Sequence, residues 1–253
     1  MSEKLRIISL GIHHLGFKES LEKVMDWAEK RQSAYVCFAN VHMIIEAYKD
    51  KAFPAQVEKA SLVLADGKPV ASACKILYHK KQERIAGMDF MPRLLEIANE
   101  RRTPVFFYGS TQEVLEGIKQ KINLLYPSVI HAGSISPSFG VIKEEEMANH
   151  IEQINNSGAQ IIFVSLGCPK QERWMATHSE KINGVLLGVG AAFPVMAGLQ
   201  KRAPVWMQNL SLEWVYRLWQ QPRRLFKRYF FTNLTFLYLL VREWVKIRLN
   251  NAR

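Results

Sequence analysis

Residues 160–172 read Gln-Ile-Ile-Phe-Val-Ser-Leu-Gly-Cys-Pro-Lys-Gln-Glu, and this stretch indicates the fold class. Its apolar part, 160–164, is short and bounded by turn residues, which is typical of a buried strand. Gly167 and Pro169 then mark a turn, and proline suits the first turn of a helix. A strand, a glycine turn and a helix in this order predict one unit of a parallel α/β sheet.

The same order of strand and helix recurs along most of the chain. Amphipathic stretches lie between the apolar runs, for example the stripe of Leu21, Val24, Met25 and Ala28. Because parallel strands are joined by crossover helices, we expect an α/β fold with a Rossmann-like, mostly parallel sheet flanked by helices. The predicted strands are 6–10, 34–38, 62–65, 105–108, 129–131, 160–164 and 185–187.

Positive charge is concentrated at one end of the 253-residue chain, whose net charge is +11. Residues 199–253 hold 11 of the 34 lysines and arginines, only two acids, and four of the six tryptophans. We therefore expect two parts: an α/β catalytic domain over 1–198, and a basic, aromatic and helical C-terminal appendage over 199–253.

The appendage has the composition of a membrane-binding segment. Helices with Arg and Lys on one face and aromatic residues on the other lie among lipid headgroups, and anionic lipids attract their charge. Nucleic acid and a dimerisation partner are the competing interpretations, but 229–231 and 236–241 are more apolar than a groove for phosphates requires. With no apolar run of about 18 residues and three scattered cysteines, the expectation is a cytoplasmic protein, peripheral on the inner face of the plasma membrane.

Ligands of parallel α/β sheets bind beyond the carboxyl ends of the strands, so the residues that follow each strand are the site candidates. Asp66 can act as a base there, or it can be a turn residue before glycine. Its position alone favours neither interpretation. Gly109 opens a helix that could hold an anion, although capping explains it equally well. Gln171 is predicted at the N-terminus of a helix that faces the site, and we favour a functional role for it over a structural one. Gly188 and Gly190 allow either the close approach of a ligand or tight packing of strand and helix.

Two further polar residues are candidates with an ordinary alternative each. Asn40 follows the strand at 34–38, and the neighbouring His42 is more often a packed or solvated side chain than a catalytic acid or base. Arg84 could pair with an anionic substrate or lie on the surface. The sequence has no DxD segment, no P-loop and no Cys/His cluster, so neither a metal site nor a cofactor is expected.

Taken together, five segments resemble the WecG/TagA/CpsF glycosyltransferase family, and the resemblance runs in order from about residue 35 to 245. The segments are 64–67, 83–89, 167–172, 188–193, and 202–224 with its Trp206, Glu213-Trp214 and Pro222-Arg223-Arg224. The resemblance implies a metal-independent inverting transferase on the cytoplasmic face of the membrane. Such enzymes move a sugar, often N-acetylmannosamine or its uronic acid, from a UDP-sugar donor to an undecaprenyl-diphosphate-linked sugar. That acceptor is commonly N-acetylglucosamine, and the product serves polysaccharide or teichoic-acid-type polymer synthesis.

The resemblance also implies roles for single residues. Asp66 matches the family's general base, Arg84 and Gln171 match its substrate-binding residues, and Arg217, Arg223 and Arg224 match arginines that reach the active site from the appendage. Two positions depart from the family pattern. Phe38 stands where many members have Thr, and Pro194 stands where many have Asp, and either change could alter the grip on the donor sugar.

Other function classes stay open on the sequence alone. One alternative is a non-catalytic protein on the same fold that binds nucleotide sugars or nucleic acid, and another is a membrane scaffold for other enzymes. The substitution Asp66→Asn separates them from the transferase, because it removes transfer while sparing UDP binding. The apolar stripe of the appendage also allows a homo-oligomer.

Overall fold

The structure, a computed structural model, describes residues 3–138, 140, 142–209 and 212–251. The strands are β1 (Lys4–Ile7), β2 (Leu10–His13), β3 (Ala34–Ala39), β4 (Leu62–Ala65), β5 (Pro104–Gly109), β6 (Ile130–Ile135), β7 (Ile161–Ser165) and β8 (Val185–Gly188). The helices of the first half are α1 (Phe17–Glu29), α2 (Val41–Lys49), α3 (Phe53–Glu58), α4 (Lys68–Tyr78), α5 (Gly87–Arg101) and α6 (Gln112–Leu125). Those of the second half are α7 (Glu144–Asn156), α8 (Lys170–His178), the 3₁₀ turn Ser179–Lys181, α9 (Ala192–Met196), α10 (Val205–Asn209), α11 (Glu213–Gln220) and α12 (Pro222–Asn251).

Six strands form one sheet in the order β4-β3-β8-β7-β5-β6, and every neighbouring pair is parallel. The prediction of a mostly parallel α/β sheet flanked by helices is confirmed. Parallel pairing brings all the carboxyl ends to one edge; Gly188, for example, lies opposite Cys37 on one side and Val164 on the other. The loops that follow β3, β4, β5, β7 and β8 therefore converge there.

The sheet separates two hydrophobic cores. Side chains along a strand alternate between its faces, so Tyr35 and Cys37 of β3 join α2, α4, α8 and α12 on one side. Val36 and Phe38 join α1, α5, α6 and α9 on the other. Helices cover both faces, which is why the strands other than the edge strand β6 are nearly continuous apolar runs.

The predicted strand at 6–10 is wrong, because the chain turns in the middle of it. Ile8 has φ of 57°, a left-handed conformation that a β-branched residue rarely adopts, and it separates β1 from the antiparallel β2. The turn is fixed from outside: the Ile8 N–H donates to Glu243 Oε2 on α12 at 2.8 Å. The other six predicted strands overlap observed ones, although β6 continues beyond the predicted end to Ile135.

The hairpin of β1 and β2 covers the outer edge of the sheet at β4. His13 Nδ1 accepts a hydrogen bond from the Val63 N–H at 2.8 Å, so this edge donor is satisfied. Burial lowers the pKa of His13 to about 4, which keeps its ring neutral and able to accept.

The C-terminal helix α12 is attached to the α/β body along one of its faces. Phe236, Leu239 and Leu240 are each less than a tenth exposed and belong to the core that also holds α2. The opposite face exposes Phe230, Leu237 and other apolar side chains. Within the described residues, no helix combines the length and the apolar character needed to cross a membrane.

Candidate active site

The sequence candidates that follow strands do lie at one edge of the sheet. Across the sheet, Asp66 follows β4, Asn40 follows β3, and Gly188 ends β8. Gln171 lies in the first turn of α8 after β7, and Gly109 ends β5. Their common edge follows from the parallel strand order, as predicted.

Asp66 is held by backbone and side-chain contacts to the neighbouring strand end. Its N–H donates to the carbonyl of Ala39 at 2.9 Å, and its Oδ2 accepts from Asn40 Nδ2 at 3.4 Å. Asn40 is itself oriented, because its Oδ1 caps helix α2 by accepting from the Met43 N–H at 3.1 Å. Gly67 has φ of 97°, so Asp66 precedes a glycine turn, as one of its two interpretations predicted, and its role as a base stays a prediction.

The electrostatic surroundings of Asp66 suit a base that works near neutral pH. Burial raises the pKa of its carboxyl to about 6. The hydrogen bond from Asn40 and the charges of Arg84 and Arg217 act in the opposite direction, while the charge of Glu213 adds to the rise. Asp66 therefore lies within electrostatic reach of two arginines and one glutamate that come from distant parts of the sequence.

Arg84 belongs to a ring of four alternating charges. It pairs with Asp89 at 2.5 Å and with Glu213 at 3.6 Å. Arg202 closes the ring, at 2.5 Å from Asp89 and 3.3 Å from Glu213. All four side chains are less than a third exposed, so this charge ring (Arg84, Asp89, Arg202 and Glu213) ties α5 and the Arg202 segment to α11.

The charge ring places Arg217 relative to Asp66. Arg217 lies one helical turn after Glu213 on α11 and its charge acts on the Asp66 carboxyl. The other two predicted arginines are on α12, where Arg223 is exposed, while the side chain of Arg224 lies outside the described residues. Arg217 is thus the appendage arginine whose proximity to Asp66 the structure describes.

Gln171 is buried at the mouth of α8, only 5% exposed. Its Nε2 donates to Glu172 Oε1 at 2.8 Å and to the carbonyl of Gly188 at 2.9 Å. Its Oε1 has no partner within the described residues, and a Cβ atom at Gly190 would lie 3.3 Å from that oxygen. Burial raises the pKa of the fully buried Glu172 to about 7.

Close packing accounts for two of the candidate glycines. A Cβ atom at Gly109, where φ is 106°, would collide with the carbonyl of Ser165. The next N–H, that of Ser110, donates to the same carbonyl at 3.0 Å. A Cβ atom at Gly188 would lie 2.7 Å from Met175 Cε. Ligand contacts by these glycines stay predictions.

Of the two departures from the family pattern, Phe38 points into the core. It is 4% exposed and packs edge-on against Phe90, with ring centroids 5.3 Å apart. Pro194 lies inside α9, and its carbonyl accepts the N–H groups of Leu199 and Gln200. In the part of the chain that is described, no three His, Cys, Asp or Glu side chains are grouped to hold a metal ion.

Four residues around the site have no counterpart among the sequence candidates: Asp89, Arg202, Glu172 and Glu213. Each lies within or next to a segment that carried the family resemblance, but charged residues are usually solvated and nothing local shows their partners. Arg202 and Asp89, for instance, are 113 positions apart in the chain.

Comparison with known proteins places the chain in one family. The family model described as "Glycosyl transferase WecG/TagA/CpsF family" matches residues 5–250. A relative from Bacillus subtilis (strain 168) is 31% identical over 220 residues, covering 84% of each chain. One from Staphylococcus aureus (strain NCTC 8325 / PS 47) is 31% identical over 201 residues, covering 78% of this chain and 77% of the relative. Both relatives are named N-acetylglucosaminyldiphosphoundecaprenol N-acetyl-beta-D-mannosaminyltransferase. The chain therefore belongs to the WecG/TagA/CpsF family of glycosyltransferases.

Proposed function

We propose that the protein transfers an N-acetylmannosamine-type sugar from a UDP-sugar to the N-acetylglucosamine of an undecaprenyl-diphosphate-linked acceptor, with inversion at the transferred sugar. The observation that carries this proposal is Asp66, a partly buried carboxyl with its pKa raised to about 6, within electrostatic reach of Arg84 and Arg217. The named activity of the two relatives gives the donor sugar and the acceptor.

Asp66 acts as the general base in this scheme. Its carboxylate takes the proton of the acceptor hydroxyl, and the hydroxyl oxygen attacks the anomeric carbon of the donor sugar. The bond from that carbon to the UDP oxygen breaks, and its electron pair leaves with the diphosphate. Attack from the face opposite to UDP inverts the anomeric centre.

Arginines stabilise the leaving UDP, whose diphosphate gains negative charge as the bond breaks. Arg217 supplies this charge from α11, and Arg223 and Arg224 supply it from the first turn of α12. Arg84 is engaged by Asp89 and Glu213, so it contributes to the field at Asp66 and keeps α11 in place. No metal ion is required by this distribution of charge.

The site is brought to its lipid-linked acceptor by the exposed face of α12, which we call the C-terminal surface: Phe226, Phe230, Leu234, Leu237 and Val241. Each of these apolar side chains is more than half exposed, and exposed Arg223, Lys227, Arg242, Lys246 and Arg248 lie along the same helix. Apolar side chains bordered by basic ones fit an anionic membrane surface. The protein is then peripheral, on the inner face of the plasma membrane, where UDP-sugars and lipid-linked intermediates of polysaccharide or teichoic-acid-type polymers meet.

A donor screen tests the proposed reaction. Purified protein is mixed with a panel of UDP-sugars and a short-chain prenyl-diphosphate-linked N-acetylglucosamine, and products are read by mass spectrometry. We expect a product one N-acetylhexosamine heavier with UDP-N-acetylmannosamine and none with Asp66→Asn, which still binds UDP. Transfer by Asp66→Asn at the wild-type rate would exclude Asp66 as the base, and binding of UDP without transfer by the wild type would favour the non-catalytic alternative.

A further inference from the structure

We propose that Glu172 is a positioning residue: it fixes the side-chain amide of Gln171 so that Gln171 Oε1 accepts a hydrogen bond from an N–H or O–H group of the bound nucleotide sugar. The inference rests on the proposed function, since it takes the ligand at this edge to be a UDP-sugar. The proposal also specifies the direction of the hydrogen bond, because a Gln171 side chain fixed in this way can only accept a hydrogen bond from the ligand and cannot donate one.

The nitrogen of the Gln171 amide has nothing left to offer a ligand. A side-chain amide nitrogen carries two hydrogens. One goes to Glu172 Oε1 at 2.8 Å and the other to the Gly188 carbonyl at 2.9 Å. The side chain is 5% exposed, so these bonds are made away from competing water.

The reversed amide is excluded by the same two partners. Turning the amide over would bring Gln171 Oε1 against the Gly188 carbonyl and, when Glu172 is ionised, against a second acceptor, Glu172 Oε1, with no hydrogen between them. Buried acceptors without donors are strongly unfavourable, so the partners set the orientation of the amide. Gly188 contributes a backbone carbonyl, which no substitution removes. Glu172 is therefore the side chain whose replacement can change the orientation of the Gln171 amide.

The unpartnered oxygen of Gln171 is buried beside the loop that follows β8, at the ligand edge of the sheet. Gln171 Oε1 has no partner among the described residues, although nearly all buried polar atoms have one. Its neighbour is Gly190, in the loop that follows β8, where a Cβ atom would lie 3.3 Å away. The loop is held in turn by Ser165, whose hydroxyl donates to the Gly190 carbonyl at 2.8 Å. Because Gln171 Oε1 is itself buried, a ligand supplies the missing donor where the Gly190 loop moves to admit it.

Glu172 is suited to positioning and not to contact with the ligand. It is 0% exposed, against 5% for Gln171, so Gln171 is the more accessible of the two side chains. Burial raises its pKa to about 7, and either protonation state can hold Gln171, since a proton can occupy Oε2, which has no hydrogen-bond partner in the described part of the chain.

A UDP-sugar offers three kinds of donor to Gln171: the uracil imide N–H, the acetamido N–H of the sugar, and hydroxyl groups. Gln171 contacts the end of β8, and Asp66 follows β4. Only β3 lies between these strands, so their ends are about 10 Å apart across the sheet. A nucleotide sugar bound along this edge presents any of these donors to Gln171, and the test distinguishes them.

The first test compares two substitutions of Glu172. Glu172→Gln keeps an oxygen that can accept from Gln171, whereas Glu172→Met has a chain of similar length and no comparable acceptor. We expect Glu172→Gln to stay within about threefold of the wild-type KM for UDP-N-acetylmannosamine, and Glu172→Met to raise that KM about tenfold or more, as for one lost hydrogen bond in a buried site. A folded Glu172→Met with the wild-type KM would overturn the proposal, as would an equal rise of KM in both variants.

The second test does not need Glu172 to be replaced. Affinities are measured by calorimetry for UDP against N3-methyl-UDP, 2′-deoxy-UDP and 3′-deoxy-UDP, with wild type and Gln171→Leu. UDP-N-acetylmannosamine is compared in the same way with its 2-deoxy analogue, which carries neither an N–H nor an O–H at that carbon, and with its deoxy analogues at the other sugar hydroxyls. We expect one analogue to bind the wild type about tenfold more weakly than its parent, and Gln171→Leu to show no such difference for that pair. If no pair depends on Gln171, the acceptor role is wrong. Failure of the wild type to bind UDP would instead contradict the proposed function.

Discussion

At the residue scale, the raised pKa of Asp66 predicts how the reaction depends on pH. Burial sets this pKa at about 6, and only the carboxylate can take a proton from the acceptor. We therefore expect kcat/KM to fall about tenfold for each pH unit below about 6, and to be level between pH 7 and 8 on this side of the profile. The measurement is a pH–rate profile with the short-chain acceptor. An acid limb near pH 4 would mean that Asp66 is solvated during turnover.

The raised pKa of Asp66 also predicts that the stability of the fold falls with rising pH, whereas the activity rises. A loss of activity at low pH can therefore be told apart from unfolding. The folded pKa lies above the usual value for Asp, so the stability of the wild type falls as pH rises from about 4 to about 6. Asp66→Asn removes this loss and should be more stable than the wild type at pH 8, by at most about 3 kcal/mol, and similar at pH 4. The melting temperatures of the wild type and Asp66→Asn are compared at the same pH. The contributions of other groups with shifted pKa values, such as His13, are then equal in both proteins and cancel.

Asn40 has two roles that substitution can separate. Its Oδ1 caps α2, and its Nδ2 donates to Asp66. Asn40→Asp keeps a good helix cap and places a second carboxylate beside Asp66, so the acid limb should move up by about one pH unit with little change in melting temperature. Asn40→Ala should instead cost about 1 kcal/mol of stability through the lost cap. An unmoved acid limb in Asn40→Asp would show that the two side chains separate when substrate binds.

The sequence predicted Asp66, Asn40 and Gln171 because each follows a strand, and the position of a strand end is readable from an apolar run. It did not predict Glu172 as a partner of Gln171. The arrangement depends on the carbonyl of Gly188, 17 positions away, and on the complete burial of a carboxyl group. Charged residues are mostly solvated, so burial of this kind is set by the assembled fold and leaves no local pattern.

At the element scale, the charge ring fixes α11 against α5 and thereby brings Arg217 near Asp66. Glu213→Gln weakens two of its ion pairs and removes a negative charge that raises the pKa of Asp66. We expect kcat/KM to drop about tenfold as Arg217 loses its position, and the acid limb to shift to lower pH. This shift is opposite in direction to that of Asn40→Asp, so the two variants can be compared in one series of profiles.

The control for the charge ring is an ion pair that is exposed and distant from the site. Glu22 pairs with Lys18 on α1, where both side chains are more than half exposed. Glu22→Gln should leave the rate and the profile unchanged, because exposed pairs contribute little. Equal effects in Glu22→Gln and Glu213→Gln would point to a general change of charge and not to the position of α11.

The hairpin at the start of the chain depends on the helix at its end. The Ile8 N–H donates to Glu243 Oε2, and Ile8 holds a left-handed conformation that needs such support. Glu243→Ala should lower the free energy of unfolding by about 1–3 kcal/mol, whereas Glu243→Gln, which keeps an acceptor, should lose less than half of that. Urea unfolding measures both. Equal losses would assign the effect to the charge of Glu243.

This turn also shows why the first strand could not be predicted. The residues from Arg6 to Leu10 form an unbroken run without glycine, proline or asparagine, and such a run favours a single strand. The partner that stabilises the turn lies 235 positions away. A contact that distant leaves no pattern among neighbouring residues. Five strands of the sheet were found because their burial is nearly continuous, whereas β6 has no buried residue and only its first two residues were predicted.

At the scale of the whole molecule, α12 is apolar on two opposite faces. Leu225, Phe236 and Leu239 are buried, while Phe230 and Leu237 are more than half exposed. The sequence predicted a basic and aromatic helix but not that Phe236, Leu239 and Leu240 would complete the core of the α/β body. Charge and aromatic content can be read from composition. Which face of α12 packs against the α/β body depends instead on the surface formed by α2 and α4, which only the assembled fold defines.

The C-terminal surface gives a prediction for the whole protein at a membrane. Phe230, Leu234, Leu237 and Val241 follow helical spacing and lie on one exposed face. The wild type should sediment with vesicles that contain anionic lipid, and binding should weaken between 0.1 and 0.5 M salt because the basic side chains along α12 contribute through charge. Vesicles of neutral lipid alone should bind far less.

Substitutions can show whether vesicle binding depends on the C-terminal surface or on exposed apolar side chains anywhere on the protein. Leu237→Ser should reduce vesicle binding about tenfold, since one buried leucine contributes roughly 1.5–3 kcal/mol. The matched control is Leu124→Ser on α6, because Leu124 is 72% exposed and Leu237 is 58% exposed. Leu124→Ser should bind vesicles like the wild type, and both variants should transfer sugar to the soluble short-chain acceptor at the wild-type rate. If Leu237→Ser keeps full vesicle binding but changes the mass of the protein in solution, the surface joins two copies of the chain and the membrane assignment is wrong.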